Sequence, residues 1–438
     1  MPSPKILILN QPFVSDTGGG ITLSNLFSKW DAKQIAVASS GYLLTGDIAT
    51  ERCYKYYQLG SEERKWIFPL NLFGRKYESG EVSFSKQSKD KVIPEEFDSK
   101  NRSNFIEKYI SPIFHFSGLS HFVSKTQLSP KFCNWLLEFN PDVIYAQSSS
   151  REEILFCIAV QEFLKKPMVF HKMDDWLTLA GSKTFMIKYW RNKIDSEFKD
   201  LLNHSELVMS ISDYMGEEYF KRYDKEFITF HNPIDINFWK TGQRNTYDID
   251  QSPTIMYAGR IGLGIDNSLM TIASAIDIVN KELNMSIKFL IQAQEAPDWL
   301  KNYKCTKHQH FVSYKDLPKV FGSADFMILP YDFDPDGLAF IKYSMPTKAS
   351  EYMASGTPII IFAPEDTALV QYAKKNKWAA VVTENNTKKL AIEIKELVKN
   401  KPLREKIAHT ARNLAETRHN TDIVANEFKN CIESVIPK

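Results

Sequence analysis

The chain has 438 residues, 43% hydrophobic and 25% charged, with 55 Lys and Arg against 53 Asp and Glu for a formal net charge of +2. At roughly 100–200 residues per domain, that length makes two or three domains. The 29 Phe, 19 Tyr and 8 Trp exclude disorder as the main state, and the near-zero charge speaks against a dedicated nucleic-acid binder. Cys53, Cys133, Cys157, Cys305 and Cys431 are scattered, with no CxxC pair. A zinc site is therefore not expected, and reduced thiols in a cytoplasmic protein are. The segment Met1–Leu9 reads as a strand and not as a signal peptide, and no window nears the ~20 apolar residues of a membrane helix.

In chain order, Ile6–Leu9 predicts a strand, followed by a loop at Gly18–Gly20 and a helix from near Ile21. Ile35–Ser39 is a second strand, and residues 79–104 read as a polar loop or insertion. A helix over Lys131–Phe139 stops at Asn140-Pro141. Strands follow at 142–146, 167–171 and 207–211, alternating with helices at 151–164 and near 186–202. After the turn-rich hinge His231-Asn-Pro-Ile-Asp, the strand Thr254–Ala258 leads into Gly259-Arg-Ile-Gly-Leu-Gly, so strand, glycine turn and helix open this half too. The second half then alternates: helix 269–280, strand 287–292, a short piece Phe311–Val312, helix 314–323 and strand 326–329. Helix 347–354, strand 358–362, helix 367–376, strand 379–382 and two closing helices complete it. The fold class is α/β, two Rossmann-like doubly wound parallel sheets.

Several residues suit anion or sugar chemistry. Backbone amides at Gly18, Gly19 and Gly20 suit a phosphate, or the run is simply a flexible loop. Gly259 and Arg260 end a strand where open α/β sheets bind ligands, and Arg offers a planar fork of donors. Gly262 and Gly264 resemble a dinucleotide fingerprint, but Asn267 stands where the third glycine belongs, which leaves nicotinamide or flavin binding weakly supported. Pro346 and Thr347 open a helix, and Lys348 puts a positive charge at its N-terminus, the wrong sign unless an anion sits there. Glu351, one turn on, suits ribose hydroxyls or an ion pair with Lys348. His171 follows a strand, and Asp174 and Asp175 either orient it, contact a sugar or cap the next helix. Asp332, Asp334 and Asp336 suit sugar hydroxyls or a solvated turn; a calcium loop is unsupported because Tyr343 stands at its twelfth position.

Taken together, the Gly18–Gly20 loop, Pro141-Asp-Val-Ile-Tyr, His171, Ser210-Ile-Ser-Asp-Tyr-Met, the 231–235 hinge, Tyr257-Ala-Gly-Arg and above all Lys348-Ala-Ser-Glu-Tyr-Met-Ala-Ser-Gly-Thr-Pro-Ile-Ile resemble the GT-B nucleotide-sugar glycosyltransferases, specifically the retaining family 4. The resemblance implies two Rossmann-like domains across a cleft: residues 1–230 for the acceptor, 231–418 for the nucleotide sugar, and 419–438 as a helix crossing back. It matches Arg260 to the family's phosphate-binding arginine, Glu351 to its ribose-binding glutamate and His171 to a histidine near the donor sugar. Gly18, Gly19, Gly20, Gly259, Thr347, Asp336, Gly337 and Leu338 would complete the donor site, and His171, Arg260 and Lys348 would carry catalysis. Two departures stand out. Tyr343 occupies the place of the first glutamate of the family's pair, and no lysine follows the Gly-Arg, so Lys348 with Thr347 would supply that charge and the 332–336 loop the missing sugar contact.

The implied activity is transfer of a sugar, with retention, from a nucleotide-diphosphate sugar to a glycan or lipid-linked acceptor in bacterial-type surface polysaccharide or glycoconjugate synthesis. No metal or other cofactor is expected, and neither is nucleic acid. The stretches Tyr54–Tyr77 and Ile187–Lys193 mix basic and aromatic residues, which suits a peripheral contact with the inner face of the cell membrane or ordinary half-buried surface. A GT-B-like sugar-nucleotide epimerase and a catalytically silent partner subunit are the alternative readings.

Overall fold

A computed structural model describes residues 3–15, 17–66, 77–82, 84, 124–179, 186–262 and 264–437. Most of the 79–104 insertion, and the Phe68, Phe73, Arg75 and Lys76 part of the aromatic–basic stretch, lie outside the described residues. The chain divides into two compact units. Unit 1 comprises Met1–Ile211, Gly216–Thr229 and Ala425–Lys438; unit 2 comprises Ser212–Met215 and Phe230–Val424.

Unit 1 is built on a sheet whose strands are β1 (Ile6–Leu9), β2 (Ile35–Ser40), β3 (Lys55–Leu59), β5 (Gly80–Val82), β7 (Val143–Ala146), β8 (Met168–Lys172), β9 (Leu207–Ser210) and β10 (Ile228–Thr229), in the order β10-β9-β8-β7-β1-β2-β3-β5. Every pair is parallel except β3 with β5. A separate antiparallel pair joins β4 (Arg64–Trp66) to β6 (Ser124–Thr126). β1, β7 and β8 are buried at every residue, as strands covered on both faces must be. The helix Arg151–Leu164 starts at Ser150, whose side chain accepts from the Glu153 amide, and ends on Lys165 in the left-handed conformation. Helix Pro130–Phe139 likewise begins on the Ser129 cap and ends on left-handed Asn140.

The Gly18–Gly20 run is not a loop. Thr17 accepts from the Gly20 amide, and the three glycines form the first turn of the helix Gly18–Leu26. Gly20 is required there, because a Cβ on it would lie 2.0 Å from the Val14 carbonyl oxygen. The Tyr54–Tyr77 stretch is also corrected in part: Tyr56 and Tyr57 are core residues of β3, each 1% exposed.

Unit 2 carries an all-parallel six-stranded sheet: β11 (Thr254–Ala258), β12 (Lys288–Gln292), β13 (Thr306–Gln309), β14 (Phe326–Pro330), β15 (Ile359–Phe362) and β16 (Ala380–Val382), in the order β13-β12-β11-β14-β15-β16. The expected piece at Phe311–Val312 is exposed loop, and the strand lies earlier at β13. Residues 419–424, expected to have left this unit, stay strapped to it: the Ile234 amide donates to the His419 carbonyl at 2.7 Å and the Thr421 amide to Ile234 at 3.0 Å. From residue 425 the chain belongs to unit 1, where Phe428 meets Phe27 and Tyr145 edge-on.

The helix Thr347–Ser355 is tied to the end of β11 by Tyr352. Its hydroxyl accepts from the Ala258 amide at 2.8 Å and donates to the Ala258 carbonyl at 3.2 Å, fully buried. Tyr352→Phe strands both backbone groups, and we expect about 1–3 kcal/mol of destabilisation in urea unfolding.

The His231 and His419 rings lie 5.3 Å apart, tilted by 49°, beside Tyr372, whose hydroxyl meets His419 Nε2 at 2.9 Å. Burial pulls both rings down, to about 4 for His231, opposed by Asp213, and about 3 for His419. The unfolded chain, with histidines near 6.5, therefore binds protons first. Stability is fully present above about pH 6.5 and falls as pH drops toward the folded values. Thermal unfolding should show the melting temperature falling from pH 7 to pH 5, less steeply in His419→Asn.

Candidate functional site

In each sheet the strand order reverses beside the first strand, between β1 and β7 in unit 1 and between β11 and β14 in unit 2. Ligands of open α/β sheets bind outside the C-terminal ends of the strands at such points. In unit 2 these ends carry Gly259-Arg260 after β11 and the acidic segment after β14.

Gly259 donates its amide to the Gln292 carbonyl at 3.1 Å, and a Cβ there would come 2.7 Å from the Tyr257 hydroxyl oxygen. That hydroxyl donates to the Arg260 carbonyl and fixes the turn. The Arg260 side chain is exposed and enters no ion pair among the described residues. Gly262 and Gly264 both need positive φ, +129° and +85°.

Gly264 packs backbone to backbone on Gly337, whose own Cβ would lie 2.9 Å from the Gly264 Cα. The acidic segment closes over this contact. Asp332, 2% exposed, receives the Ser268 amide at 2.7 Å and so occupies the first turn of the helix Asp266–Leu283, while its own amide goes to the Gly264 carbonyl. Desolvation pushes the Asp332 carboxyl up, and the amides it accepts oppose that rise. Asp334 caps the helix Pro335–Ile341 by accepting from the Gly337 amide at 2.7 Å. One oxygen of Asp332 and one of Asp334 thus serve the protein's own backbone amides, where the expectation gave both carboxylates to a sugar or a solvated turn. The Gly337 amide is likewise committed, and the glycine serves the close approach of the two loops. Leu338 is half-buried in the same short helix, and the Asp336 side chain lies outside the described residues.

The helix Thr347–Ser355 begins after Pro346 with no side-chain cap, so its first amides have no partner from a capping group. Thr347 and Lys348 are half-buried in that first turn. Lys348 Nζ lies 2.7 Å from Glu351 Oε2 and 5.5 Å over the Phe321 ring. Glu351 is 5% exposed. Tyr314 stands beside it: burial, with Glu351 adding, raises its phenol pKa. Tyr314 stacks on Phe238 with centroids 5.0 Å apart and planes 4° apart, and with Phe311 and Val312 leaves an exposed apolar face. Since Tyr352 ties this helix to Ala258, the structure holds Lys348 and Glu351 on the same strand end as Gly259 and Arg260. Tyr343 is packed against Tyr214 at 5.5 Å, and its carbonyl accepts from the Ser212 hydroxyl at 2.7 Å.

In unit 1, Gly18 and Gly19 are exposed at a helix start outside β1. His171 does not reach the surface. It is 0% exposed, its Nδ1 meets the Tyr145 hydroxyl at 2.8 Å, and its Nε2 has no hydrogen-bond partner among the described residues. Desolvation pulls its pKa to about 3, so the ring is neutral. The structure thus places His171, expected near the donor sugar, as a buried ring bonded to Tyr145. Sequence reasoning gave no role to Tyr352, although it stands within the run Lys348–Ile360, because its bonds to Ala258 span 94 residues. Among the described residues no group of three or more His, Cys, Asp or Glu is placed to hold a metal ion, and no helix is long and apolar enough to cross a membrane.

Residues 252–400 match the family model of glycosyl transferases group 1. None of the curated protein sequences matches the chain. Among solved structures, HepE of Anabaena in complex with UDP and glucose is 14% identical, covering 98% of this chain and 100% of its own with a TM-score of 0.60. A glycosyltransferase of Rickettsia africae is 12% identical over 100% of both chains, TM-score 0.60. Sucrose-phosphate synthase of Thermosynechococcus elongatus is 11% identical over 98% of both, TM-score 0.58. By fold the whole chain is GT-B, as these solved structures are, and its residues 252–400 match the family model of glycosyl transferases group 1.

Proposed function

We propose that this protein transfers a sugar from a nucleotide-diphosphate sugar, held on unit 2, to a glycan or lipid-linked acceptor in the synthesis of a surface polysaccharide or glycoconjugate. The carrying observation is the arrangement at the end of β11: an exposed arginine that enters no ion pair among the described residues, and a helix without a side-chain cap whose first turn bears a lysine. A cation at a helix N-terminus opposes the macrodipole, and a bound diphosphate reconciles the two. Arg260 and Lys348 would take the diphosphate oxygens, with Thr347 and the first amides of its helix. Glu351 would exchange Lys348 for the ribose hydroxyls, and the Tyr314–Phe238 face would carry the base.

Cleavage of the sugar–phosphate bond leaves positive charge on the sugar and negative charge on the departing diphosphate. Arg260, Lys348 and the helix amides stabilise the latter, the term that most lowers such barriers. With retention, a leaving phosphate oxygen takes the acceptor proton on the same face, and no carboxylate base or metal is called for. The exposed Gly18 and Gly19 amides suit a further anionic contact. Contact with a membrane face belongs to this reading too: Met186 and Tyr189, 37% and 48% exposed, flank Lys188 at the start of the helix Ile187–Asn203, while Trp190 is buried in the core.

UDP is the first nucleotide to test, since HepE is seen with UDP and glucose. In a thermal-shift panel of UDP, GDP, dTDP, ADP and CMP, one nucleotide should raise the melting temperature, by the equivalent of about 2.7 kcal/mol at 100 times its Kd. Arg260→Ala and Glu351→Ala should each weaken that nucleotide about 10- to 100-fold, the scale of a lost charge-assisted contact. Unchanged binding in both variants refutes the site.

A further inference from the structure

Unit 2 leaves part of one sheet face open. Parallel sheets are normally covered on both faces, and the side chains of a strand alternate between them. In β12, Phe289 and Ile291 share one face and are 0% exposed, and the helix Asp266–Leu283 packs on this strand. Lys288, Leu290 and Gln292 share the other. Leu290 stands opposite Met256 of β11 and Lys307 of β13, and Gln292 stands opposite Gln309 of β13. The short helix Leu317–Ser323 brings Val320 and Ser323 to this face. Between them lies a cavity of about 180 Å³, lined by Met256, Leu290, Val320, Thr254, Gln309 and Ser323. Its floor is apolar, with Met256 1% exposed and Leu290 and Val320 half-buried. An apolar cavity of ~150 Å³ is already large enough to take up benzene.

The rim carries uncompensated positive charge. Lys288 and Lys307 are exposed on the same face, and exposed Lys319 precedes Val320; none of the three enters an ion pair among the described residues. The acid nearby is already engaged. Asp325 lies 2.8 Å from Arg244 and accepts from the Thr254 amide at 2.8 Å and the Thr254 hydroxyl at 3.1 Å. Beside Gln309 in register, Gln292 is 0% exposed, and neither its Oε1 nor its Nε2 has a hydrogen bond among the described residues. Buried amides are seldom left so.

An apolar floor under a positive rim fits a molecule with an apolar chain and a negative head. We propose that this cavity binds a short-chain carboxylic acid, its chain on Met256, Leu290 and Val320 and its carboxylate between Lys307 and Gln309. The lysine ammonium and the amide are both donors, so the carboxylate accepts from each. A carboxylate oxygen beside Gln309 also gives the Gln292 amide the partner it lacks. Lys288 and Lys319 add attraction across solvent, screened by salt. The site stands on the open sheet face alone and does not depend on the glycosyltransferase reading.

The test is methyl NMR of the full chain labelled at Met, Leu and Val, titrated with octanoate below its micelle concentration, so that a free acid and not an aggregate or bilayer is read. Octanoate should move the methyl signals of Met256, Leu290 and Val320. Octylamine, its cationic counterpart, should bind about tenfold more weakly or less, a difference of ~1.4 kcal/mol. Lys307→Glu should weaken octanoate by a similar factor and narrow the gap to octylamine. Val320→Trp fills the cavity and should abolish the shifts. Both variants should keep the nucleotide thermal shift, whose loss in the wild type is a separate failure, that of the donor site. No methyl shift with octanoate, equal binding of octylamine, unchanged affinity in Lys307→Glu, or shifts that persist in Val320→Trp would each overturn the site. Lys307 is exposed, so Lys307→Glu keeps the test decisive even where Val320→Trp does not fold.

Discussion

A single phenol fixes the geometry on which the proposed donor site depends. The Tyr352 oxygen both accepts from and donates to Ala258, the last residue of β11. Burial holds its pKa well above the ordinary value, so it remains a donor as well as an acceptor at any physiological pH. A strand end normally leaves its last amide and carbonyl to water or to a loop. Here a helix side chain takes both, and the helix bearing Lys348 and Glu351 cannot slide without breaking two buried bonds.

Two of the helix N-termini beside the sheet reversal of unit 2 differ in what occupies them. The helix Asp266–Leu283 receives Asp332, an anion supplied by the protein itself. The helix Thr347–Ser355 receives none and carries a lysine in its first turn. The dipole energetics are the same in both. The internal carboxylate leaves the second helix as the place for an external anion, and Gly264 against Gly337 is what lets the two loops approach closely enough for Asp332 to reach. The acidic segment thus shapes the proposed donor site through one backbone-bound oxygen each of Asp332 and Asp334.

Much of this order was legible in the sequence. Ser150 and Arg151–Leu164 mark a capped helix, and Ile359–Phe362 is an apolar run after Gly356 and Pro358; both carry their own local signals. Where the reading erred, the deciding partner lay outside the segment, a few residues away for Gly18–Gly20 and far along the chain for the others. Gly18–Gly20 looks like a loop until the Thr17 cap and the approach of Val14 make it a helical turn. Thr306–Gln309 has no apolar alternation, because as an edge strand it gains its ladder from β12 alone. Tyr56 and Tyr57 read as surface aromatics, yet a third parallel strand buries them. His171 sits at the strand end where site residues gather, but Tyr145 and Phe428 enclose it, and the latter arrives more than two hundred residues later. The Lys348–Glu351 pair was read either as a simple ion pair or as a ligand site. The structure contains the ion pair, and the donor reading requires the nucleotide to open it.

The most direct measurement is therefore a crystal structure of the full chain with a nucleoside diphosphate. The account expects diphosphate oxygens within hydrogen-bond reach of the Arg260 guanidinium and Lys348 Nζ, the ribose hydroxyls on Glu351, and the Lys348–Glu351 bond broken. A nucleotide bound elsewhere, or bound with that ion pair intact at 2.7 Å, would contradict it.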